Sequence, residues 1–256
     1  MIDPRAIIDP SAVLGDNVQV GPWSIIGPDV EIGDGTVVNS HVVIRGPSTI
    51  GRNNRVFQFA TVGEETPDLK YRGEETRLVI GDDNIIREGV TIHRGTVQDR
   101  GETTIGSNNL LMAYVHVGHD CVIGDNTILV NNASLAGHVH VGDWAILSGY
   151  VLVHQYVSLG AHSFAGAGSY IPQDVPPYVM VAGNPAVPRT INSEGLKRRG
   201  FGKEQIAAIN RAYKLLYRKG LKLEDALAQI GGMDDAAEVL APLVAFVRAS
   251  RRGIVR

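Results

Sequence analysis

The chain has 256 residues, with 44% hydrophobic residues, 20% charged residues and a formal net charge of −3, which is typical of a soluble protein with one domain or one domain and an appendage. Its single cysteine, Cys121, excludes an intrachain disulfide and fits a reducing compartment. No apolar run approaches the roughly 20 residues that a membrane helix needs, and the first residues carry no apolar signal-peptide core. We therefore expect a cytoplasmic protein that does not insert into a membrane.

Branched aliphatic residues recur every six positions through most of the chain. The first run is Ile8, Leu14, Val20, Ile26, Ile32, Val38, Ile44, Ile50, Val56 and Val62. The phase returns at Ile80, Ile86 and Ile92, slips by one residue and then continues as Ile105, Leu111, Val117, Ile123, Leu129, Leu135, Val141, Leu147, Val153, Leu159, Ala165 and Ile171. A period of six fits neither an α-helix nor a simple alternating strand.

Each hexad can supply one short strand and one turn, so three hexads make a coil of 18 residues with the aliphatic side chains inside. Gly, Asn and Asp residues follow many of the aliphatic positions and suit sharp turns with positive φ. We predict a mainly-β fold in which residues 1–189 form a parallel β-helix. Known hexapeptide β-helices are left-handed, and we expect the same here.

The repeat is interrupted twice. Residues 64–79 are polar and predict a loop inserted between two coils, and residues 94–104 break the phase. Loops of this length that leave a repetitive fold are usually functional or disordered.

After about residue 190 the pattern becomes helical. Residues 203–219, 223–230 and 236–247 predict three helices, so residues 190–256 form a C-terminal helical domain that covers the open end of the β-helix. This part holds 14 Lys and Arg against 7 Asp and Glu, whereas residues 1–188 hold 10 against 20. The basic charge indicates either a solvated helical face or a docking surface for an acidic partner. No nucleic-acid motif accompanies it, so no nucleic acid is expected.

Histidines cluster between residues 116 and 154, and steps of 18 show which of them share a face. His119 aligns with Gly137 and Gln155, while Asp120 aligns with His138 on the neighbouring line. His119 beside Asp120 suits a general base, and the Gly137 N–H could approach an oxyanion because no side chain stands in the way. The alternative for each histidine taken singly is an ordinary surface turn residue.

A zinc site is the other interpretation of the histidines. His116 and His119 are three residues apart, and His138 or His140 follows one coil later, which is compatible with a set of zinc ligands. γ-class carbonic anhydrases combine this fold with such a site. The basic C-terminal helices and the 64–79 loop would have no role in that enzyme.

Seven segments together resemble one family, the UDP-N-acetylglucosamine 3-O-acyltransferases of lipid A biosynthesis, and the resemblance covers essentially the whole chain. They are TIHRGT (91–96), NLLM (109–112), HVGHDC (116–121), NNASLAGH (131–138), VHQ (153–155), QDVPPY (173–178) and EGLKRRGF (194–201). Members of the family transfer an R-3-hydroxyacyl chain from acyl carrier protein to the glucosamine 3-OH of UDP-N-acetylglucosamine. They work as homotrimers with active sites between subunits.

The resemblance implies roles for particular residues. His119 would be the general base, Asp120 its support and Gly137 the oxyanion donor. The residues implied in substrate binding are Asp68, Lys70, His116, His138, His154, Gln155, Asn192, Glu194 and Arg198. No resident cofactor or metal is implied, because the acyl group arrives on the phosphopantetheine arm of acyl carrier protein.

The resemblance also bears on chain length and on partners. Ala167 occupies the position that limits acyl length, which predicts an intermediate-to-long chain. Pro67 departs from the family, which often has Gln before Asp68, so one sugar contact is in question. The basic residues Arg211, Lys214, Arg218 and Lys219 become candidate contacts for the acidic carrier protein.

Two related activities stay open at this point. One is the N-acyltransferase of the same pathway, which is expected to carry an N-terminal sugar-binding domain, whereas here the repeats begin at Ile8. The other is a coenzyme A-dependent hexapeptide acetyltransferase, which would not need basic C-terminal helices.

Overall fold

The computed structural model describes residues 1–256 and confirms the parallel β-helix that the six-residue repeat predicts. Three sheets form the faces of a left-handed prism, and the chain visits them in turn. Most strands contain only two residues, because each hexad has to provide a turn as well as a strand.

Sheet I contains β1 (Ile7–Ile8), β4 (Ile25–Ile26), β7 (Val43–Ile44), β10 (Thr61–Glu64), β13 (Thr91–His93), β16 (His116–Val117), β19 (Ser134–Leu135), β22 (Leu152–Val153) and β25 (Tyr170–Ile171). Sheet II contains β2 (Val13–Leu14), β5 (Val30–Ile32), β8 (Ser48–Ile50), β11 (Arg77–Ile80), β14 (Glu102–Ile105), β17 (Val122–Ile123), β20 (His140–Val141) and β23 (Ser158–Leu159). Sheet III contains β3 (Gln19–Val20), β6 (Val37–Val38), β9 (Arg55–Val56), β12 (Ile85–Ile86), β15 (Leu110–Leu111), β18 (Ile128–Leu129), β21 (Ile146–Leu147), β24 (Phe164–Ala165), β26 (Val179–Gly183) and β27 (Ala186–Ile191).

One coil takes 18 residues wherever the repeat is regular: Leu110 pairs with Ile128, which pairs with Ile146. The chain turns at three corners, which we name by the sheets they join. In one coil, the I/II corner is residues 118–121, the II/III corner is 124–127 and the III/I corner is 130–133. Residues 18 apart therefore lie above one another at the same corner.

The predicted aliphatic positions face the interior. From Val20 to Ile171 every one of them is buried, while Ile8 and Leu14 at the open N-terminal end are partly exposed. Stacking these side chains in a continuous column removes their apolar surface from water, which is the main stabilisation available to a fold with so few aromatic residues.

The glycines that follow the aliphatic positions have a different role from the predicted one. A Cβ added to Gly33 would lie 2.7 Å from the backbone of Gly51, and one added to Gly21 would lie 2.7 Å from the backbone nitrogen of Ser40. These glycines therefore allow consecutive coils to approach closely. Positive φ occurs two residues later, for example at 56° in Trp23.

Two excursions leave the prism at the predicted interruptions, but both are shorter than predicted. The first covers residues 65–76, because β10 continues to Glu64 and β11 begins at Arg77. The second covers residues 94–101, because β14 already begins at Glu102. Pairing across the excursions keeps the prism continuous, with Thr61 of β10 opposite Thr91 of β13.

The C-terminal part begins with a hairpin that the sequence does not predict. β26 and β27 are antiparallel and extend sheet III, so the predicted domain boundary after residue 189 falls inside β27. The helices are α1 (Ser193–Arg198), α2 (Lys203–Tyr217), α3 (Leu223–Gly231) and α4 (Ala237–Ala249), with a 3₁₀ turn at Asp234–Ala236. The Tyr178 hydroxyl donates to the Val239 carbonyl at 3.0 Å and ties α4 to the prism. None of the helices combines the length and apolar character needed to cross a membrane.

Candidate active site

His119 and Asp120 lie at the I/II corner directly after β16. The Nδ1 atom of His119 is 2.8 Å from Oδ2 of Asp120, and the two residues are 7% and 0% exposed. Because an ionised carboxylate can only accept a hydrogen bond, Nδ1 carries the proton and the neutral ring keeps its lone pair on Nε2. This tautomer is the one that a general base needs.

Asp120 is fixed by a residue of the second excursion. The Thr96 backbone N–H donates to Oδ1 of Asp120 at 2.9 Å, and the Thr96 hydroxyl donates to Oδ2 at 2.6 Å. The Asp120 N–H in turn donates to the Thr103 hydroxyl oxygen at 2.8 Å. Burial by itself raises the pKa of Asp120, but the hydrogen bonds from His119 and Thr96 outweigh it and hold the pKa below its ordinary value. Asp120 is therefore a buried anion with a fixed position.

Gly137 lies one coil after His119, as the 18-residue spacing predicts. The ring of His119 rests against it, so that Cε1 and Nε2 occupy the space where a Cβ would be. The Gly137 N–H donates to no group of the chain, whereas the N–H of the neighbouring His138 donates to the His119 carbonyl at 2.9 Å. A free N–H therefore lies beside the basic nitrogen.

A cleft of about 430 Å³ opens over this pair. It is lined by Pro67, Asp68, Lys70, His116, Gly118, His119, Gly137 and Gln155. The first excursion thus brings Asp68 and Lys70 to the catalytic corner, as the sequence interpretation expects. Pro67 lines the cleft as well and offers no side-chain hydrogen bond there.

His116 has a neighbour that the sequence interpretation leaves out. His93, on the previous coil of sheet I, has its ring centroid 5.3 Å from that of His116 and its Nδ1 2.8 Å from the Glu65 carbonyl oxygen. Burial, with smaller contributions from His93 and His119, lowers the pKa of His116. The spacing of 25 residues between His93 and His116 equals one coil plus the second excursion, so allowing for the excursion would have found it.

His138 packs against His119 on the far side from the cleft. The two rings meet edge to face with centroids 4.8 Å apart, and Tyr156 stacks on His138 at 4.2 Å. Nδ1 of His138 is 2.7 Å from Oδ2 of Asp99. His138 also lines a larger cleft of about 660 Å³ together with Asp99 and His140.

Several predicted substrate contacts lie elsewhere in the single chain. His154 is exposed at the I/II corner, next to Gln155 but outside the cleft lining. Ala167 is exposed at the III/I corner. The Asn192 side chain caps α1 by accepting the Gly195 N–H at 3.2 Å.

The segment that follows β27 lies at the third corner of the prism. Asn192 also donates to the His162 carbonyl at 3.0 Å, which places the segment beside the II/III corner. Glu194 pairs with Lys197 at 2.7 Å on the exposed surface of α1, and Arg198 at the end of the same helix is exposed. These residues are therefore not brought to His119 within one chain.

The histidine set considered for zinc does not come together. The donor atoms that lie within 4.8 Å of one another belong to His119, Asp120 and His138, and His116 and His140 are outside this group. Within it, the Asp120 carboxylate already accepts hydrogen bonds from Thr96 and His119. The geometry therefore matches a hydrogen-bonded acid–base site better than the three-histidine site of the zinc interpretation.

Family models match both parts of the chain. Residues 11–46 and 102–137 match the bacterial transferase hexapeptide repeat, and residues 174–255 match domain 2 of UDP-N-acetylglucosamine O-acyltransferase. Acyl-[acyl-carrier-protein]–UDP-N-acetylglucosamine O-acyltransferases from Stutzerimonas stutzeri and Saccharophagus degradans are 65% and 61% identical to this chain, and each alignment covers 100% of this chain and 99% of the relative.

Solved structures agree with these relatives. LpxA from Acinetobacter baumannii superimposes with a TM-score of 0.97 at 49% identity and covers 100% of this chain and 99% of its own. UDP-N-acetylglucosamine acyltransferase from Francisella novicida gives a TM-score of 0.98 at 47% identity and covers 100% of this chain and 94% of its own.

Proposed function

The chain belongs to the acyl-[acyl-carrier-protein]–UDP-N-acetylglucosamine O-acyltransferase family, and we propose that it carries out the family reaction with His119 as the general base. The reaction moves an acyl chain from acyl carrier protein to UDP-N-acetylglucosamine, which is the first step of lipid A biosynthesis. The acyl group is an R-3-hydroxyacyl chain and the acceptor is the glucosamine 3-OH. The observation that carries the proposal is the His119 ring, held at Nδ1 by Asp120 with Nε2 against Gly137.

The geometry accounts for each proton in the transfer. Nε2 of His119 removes the proton of the sugar 3-OH, and the oxygen attacks the thioester carbonyl carbon. The Gly137 N–H donates to the resulting oxyanion. When the tetrahedral intermediate collapses, the carbon–sulfur bond breaks and the imidazolium returns the proton to the phosphopantetheine thiolate. Asp120 stabilises the positive charge that His119 carries between these steps. The donor brings its own phosphopantetheine arm, so no resident cofactor is required.

The residues around the cleft suit the sugar. Asp68 and Lys70 offer an acceptor and donors for hydroxyl groups, and Gln155 offers both. His116 lies close enough to the cleft to contact the sugar or the pyrophosphate. We assign the exposed His154 to the same substrate, at the outer rim of the corner.

A homotrimer would complete the site. His119, Ala167 and the Asn192–Arg198 segment lie at three different corners of one prism, with the packed interior between them. No single substrate can contact all three corners of the same chain. Three copies around a threefold axis would place the I/II corner of one subunit opposite another corner of its neighbour, so that Arg198 could reach phosphate beside a neighbouring His119.

The acidic carrier protein fits the basic C-terminal part. The exposed residues Arg211, Lys214, Arg218 and Lys219 lie on α2 and just after it. Arg211 also pairs with Asp235 at 3.2 Å, so Lys214 and Lys219 offer the less engaged charges. Such charges would mainly raise the rate of encounter. Both substrates and the buried free Cys121 fit a cytoplasmic location.

A transfer assay tests the proposed function. Purified protein is incubated with UDP-N-acetylglucosamine and a panel of R-3-hydroxyacyl carrier proteins of different chain lengths, and the 3-O-acyl product is measured. We expect product with at least one chain, and His119→Ala should lower kcat by about a thousandfold or more, since it removes the base. Failure to form product with every chain would refute the function. Substantial activity in His119→Ala with normal folding would refute the role of His119.

Ala167 gives a second prediction from the same panel. The small side chain leaves room at the III/I corner, so we expect an intermediate-to-long acyl chain to be preferred. Ala167→Met should shift the preference towards shorter chains, because each CH₂ excluded from an apolar groove forfeits about 0.8 kcal/mol, or roughly fourfold. A profile of kcat/KM against chain length measures the shift. An unchanged profile would remove Ala167 from the acyl-binding site.

A further inference from the structure

The second excursion contacts the catalytic corner at two points. Thr96 fixes Asp120, and three residues later Asp99 reaches His138, with 2.7 Å between Oδ2 of Asp99 and Nδ1 of the ring. We propose that Asp99 is a positioning residue, which holds His138 by Nδ1 and so keeps Asp120 as the partner of His119 alone. This inference rests on the proposed function, in which the His119–Asp120 pair is the base.

Two imidazoles lie within reach of one carboxylate oxygen. Oδ2 of Asp120 is 2.8 Å from Nδ1 of His119 and 3.8 Å from Nδ1 of His138. The same oxygen also accepts from the Thr96 hydroxyl at 2.6 Å. A small movement of His138 towards Asp120 would therefore form a competing hydrogen bond and weaken the one that orients His119. Asp99 occupies Nδ1 of His138 and prevents that exchange.

Packing alone cannot fix the orientation of His138. Its ring stacks on Tyr156 at 4.2 Å with 8° between the planes, and it meets His119 edge-on at 4.8 Å. These contacts define the plane of the ring, but a half-turn within that plane about the Cβ–Cγ bond exchanges Nδ1 with a carbon and leaves the stacking almost unchanged. The hydrogen bond to Asp99 selects one of the two orientations, because only Nδ1 can donate to the carboxylate.

Asp99 is suited to this role by its exposure. Its side chain is 37% exposed while the imidazole is 7% exposed, so the carboxylate stays partly hydrated at the mouth of the 660 Å³ cleft and still reaches the buried ring. Without it, the nearest carboxylate to Nδ1 of His138 is Asp120. The second excursion would then hold one member of the site through Thr96 and leave the other free.

Two substitutions and a control test the role. Asp99→Ala removes the acceptor, Asp99→Asn keeps an amide oxygen that can accept from Nδ1, and Gln98→Ala changes a residue that lines the same cleft and forms no side-chain hydrogen bond. We expect Asp99→Ala to lower kcat about tenfold with little change in KM, because the base is displaced rather than the substrate lost. Asp99→Asn should recover most of that loss, and Gln98→Ala should match the unsubstituted protein. Thermal unfolding checks that all three fold.

Two further measurements separate positioning from a general structural effect. ¹⁵N NMR of the histidine rings should show His138 protonated at Nδ1 in the unsubstituted protein and should lose that state in Asp99→Ala. In a His138→Ala background, Asp99→Ala should cause no further loss of kcat.

The inference is overturned if the His138 proton is on Nε2, if Asp99→Ala is as active as Gln98→Ala, or if the tenfold loss persists without His138. If the unsubstituted protein transfers no acyl group, the proposed function fails, and the ring NMR still decides the orientation of His138.

Discussion

Gly137 is where a single methyl group would meet the base itself. A Cβ there would overlap Cε1 and Nε2 of His119, although the backbone N–H would remain. We predict that Gly137→Ala folds normally and lowers kcat by about a hundredfold, because a displacement of the base by about 1 Å costs that much. Steady-state kinetics with circular dichroism measures both quantities. Gly231→Ala, where an added Cβ meets nothing within 4 Å, is the matched control. Near-normal turnover in Gly137→Ala would show that His119 does not need its present position.

Individual site residues were predictable where the repeat is regular and not where it fails. The 18-residue spacing places Gly137 beside His119 and Tyr156 beside His138, as the structure does. Thr96 and Asp99 belong to a segment without a phase, so their contacts with Asp120 and His138 follow from the path of the excursion and not from any spacing. Short loops of this kind depend on tertiary contacts that a single sequence does not encode locally.

At the scale of the strand and corner, the sequence predicts one buried position in each hexad, and the structure contains two. The second lies two residues before the aliphatic one and is filled by valine, alanine, serine, threonine or asparagine. It could not be recognised because it mixes apolar and polar residues. The polar ones are buried only where the next coil supplies hydrogen-bond partners.

The asparagines among them form a ladder at the II/III corner. Oδ1 of Asn54 accepts the Asn84 N–H at 2.9 Å, and Oδ1 of Asn84 accepts the Asn109 N–H at 2.9 Å. Nδ2 of Asn84 donates to the Gly106 carbonyl at 2.9 Å. All three side chains are at most 1% exposed. Each asparagine thus satisfies backbone groups that the corner would otherwise leave unpaired.

We predict that Asn84→Ala destabilises the fold. It leaves the Asn109 N–H and the Gly106 carbonyl without these partners, and each unpaired buried group costs about 1–3 kcal/mol. Urea unfolding should show the loss as a lower midpoint. Asn131→Ala, at an exposed position without side-chain hydrogen bonds, should stay within about 0.5 kcal/mol. Equal stability of the two variants would mean that water replaces the ladder.

At the scale of the whole molecule, the sequence predicts the prism, its excursions and its helical C-terminal part, and it does not predict how the corners share the chemistry. The prism was predictable because 18-residue coils repeat with one buried column. The hairpin of β26 and β27 and the short helix α1 were not, because they carry no six-residue period and no amphipathic pattern. Those elements place Asn192 and Arg198 at the II/III corner, away from His119.

Subunit mixing tests whether neighbouring copies complete the site. His119→Ala and Arg198→Ala are co-expressed, each with a different affinity tag, and mixed oligomers are isolated through both tags. If one subunit supplies the base and its neighbour supplies Arg198, random mixing leaves about a quarter of the sites with both residues intact. We therefore expect each variant alone to be strongly impaired and the mixture to regain about a quarter of the normal kcat.

The control pairs His119→Ala with the chain that carries both substitutions, and it should regain nothing, because no intact base is present. Native mass spectrometry of the same samples should give three chains per particle. A mixture no more active than its separate components would mean that His119 and Arg198 act within one chain. Since the prism interior separates their two corners, that result would require Arg198 to have no part in the site.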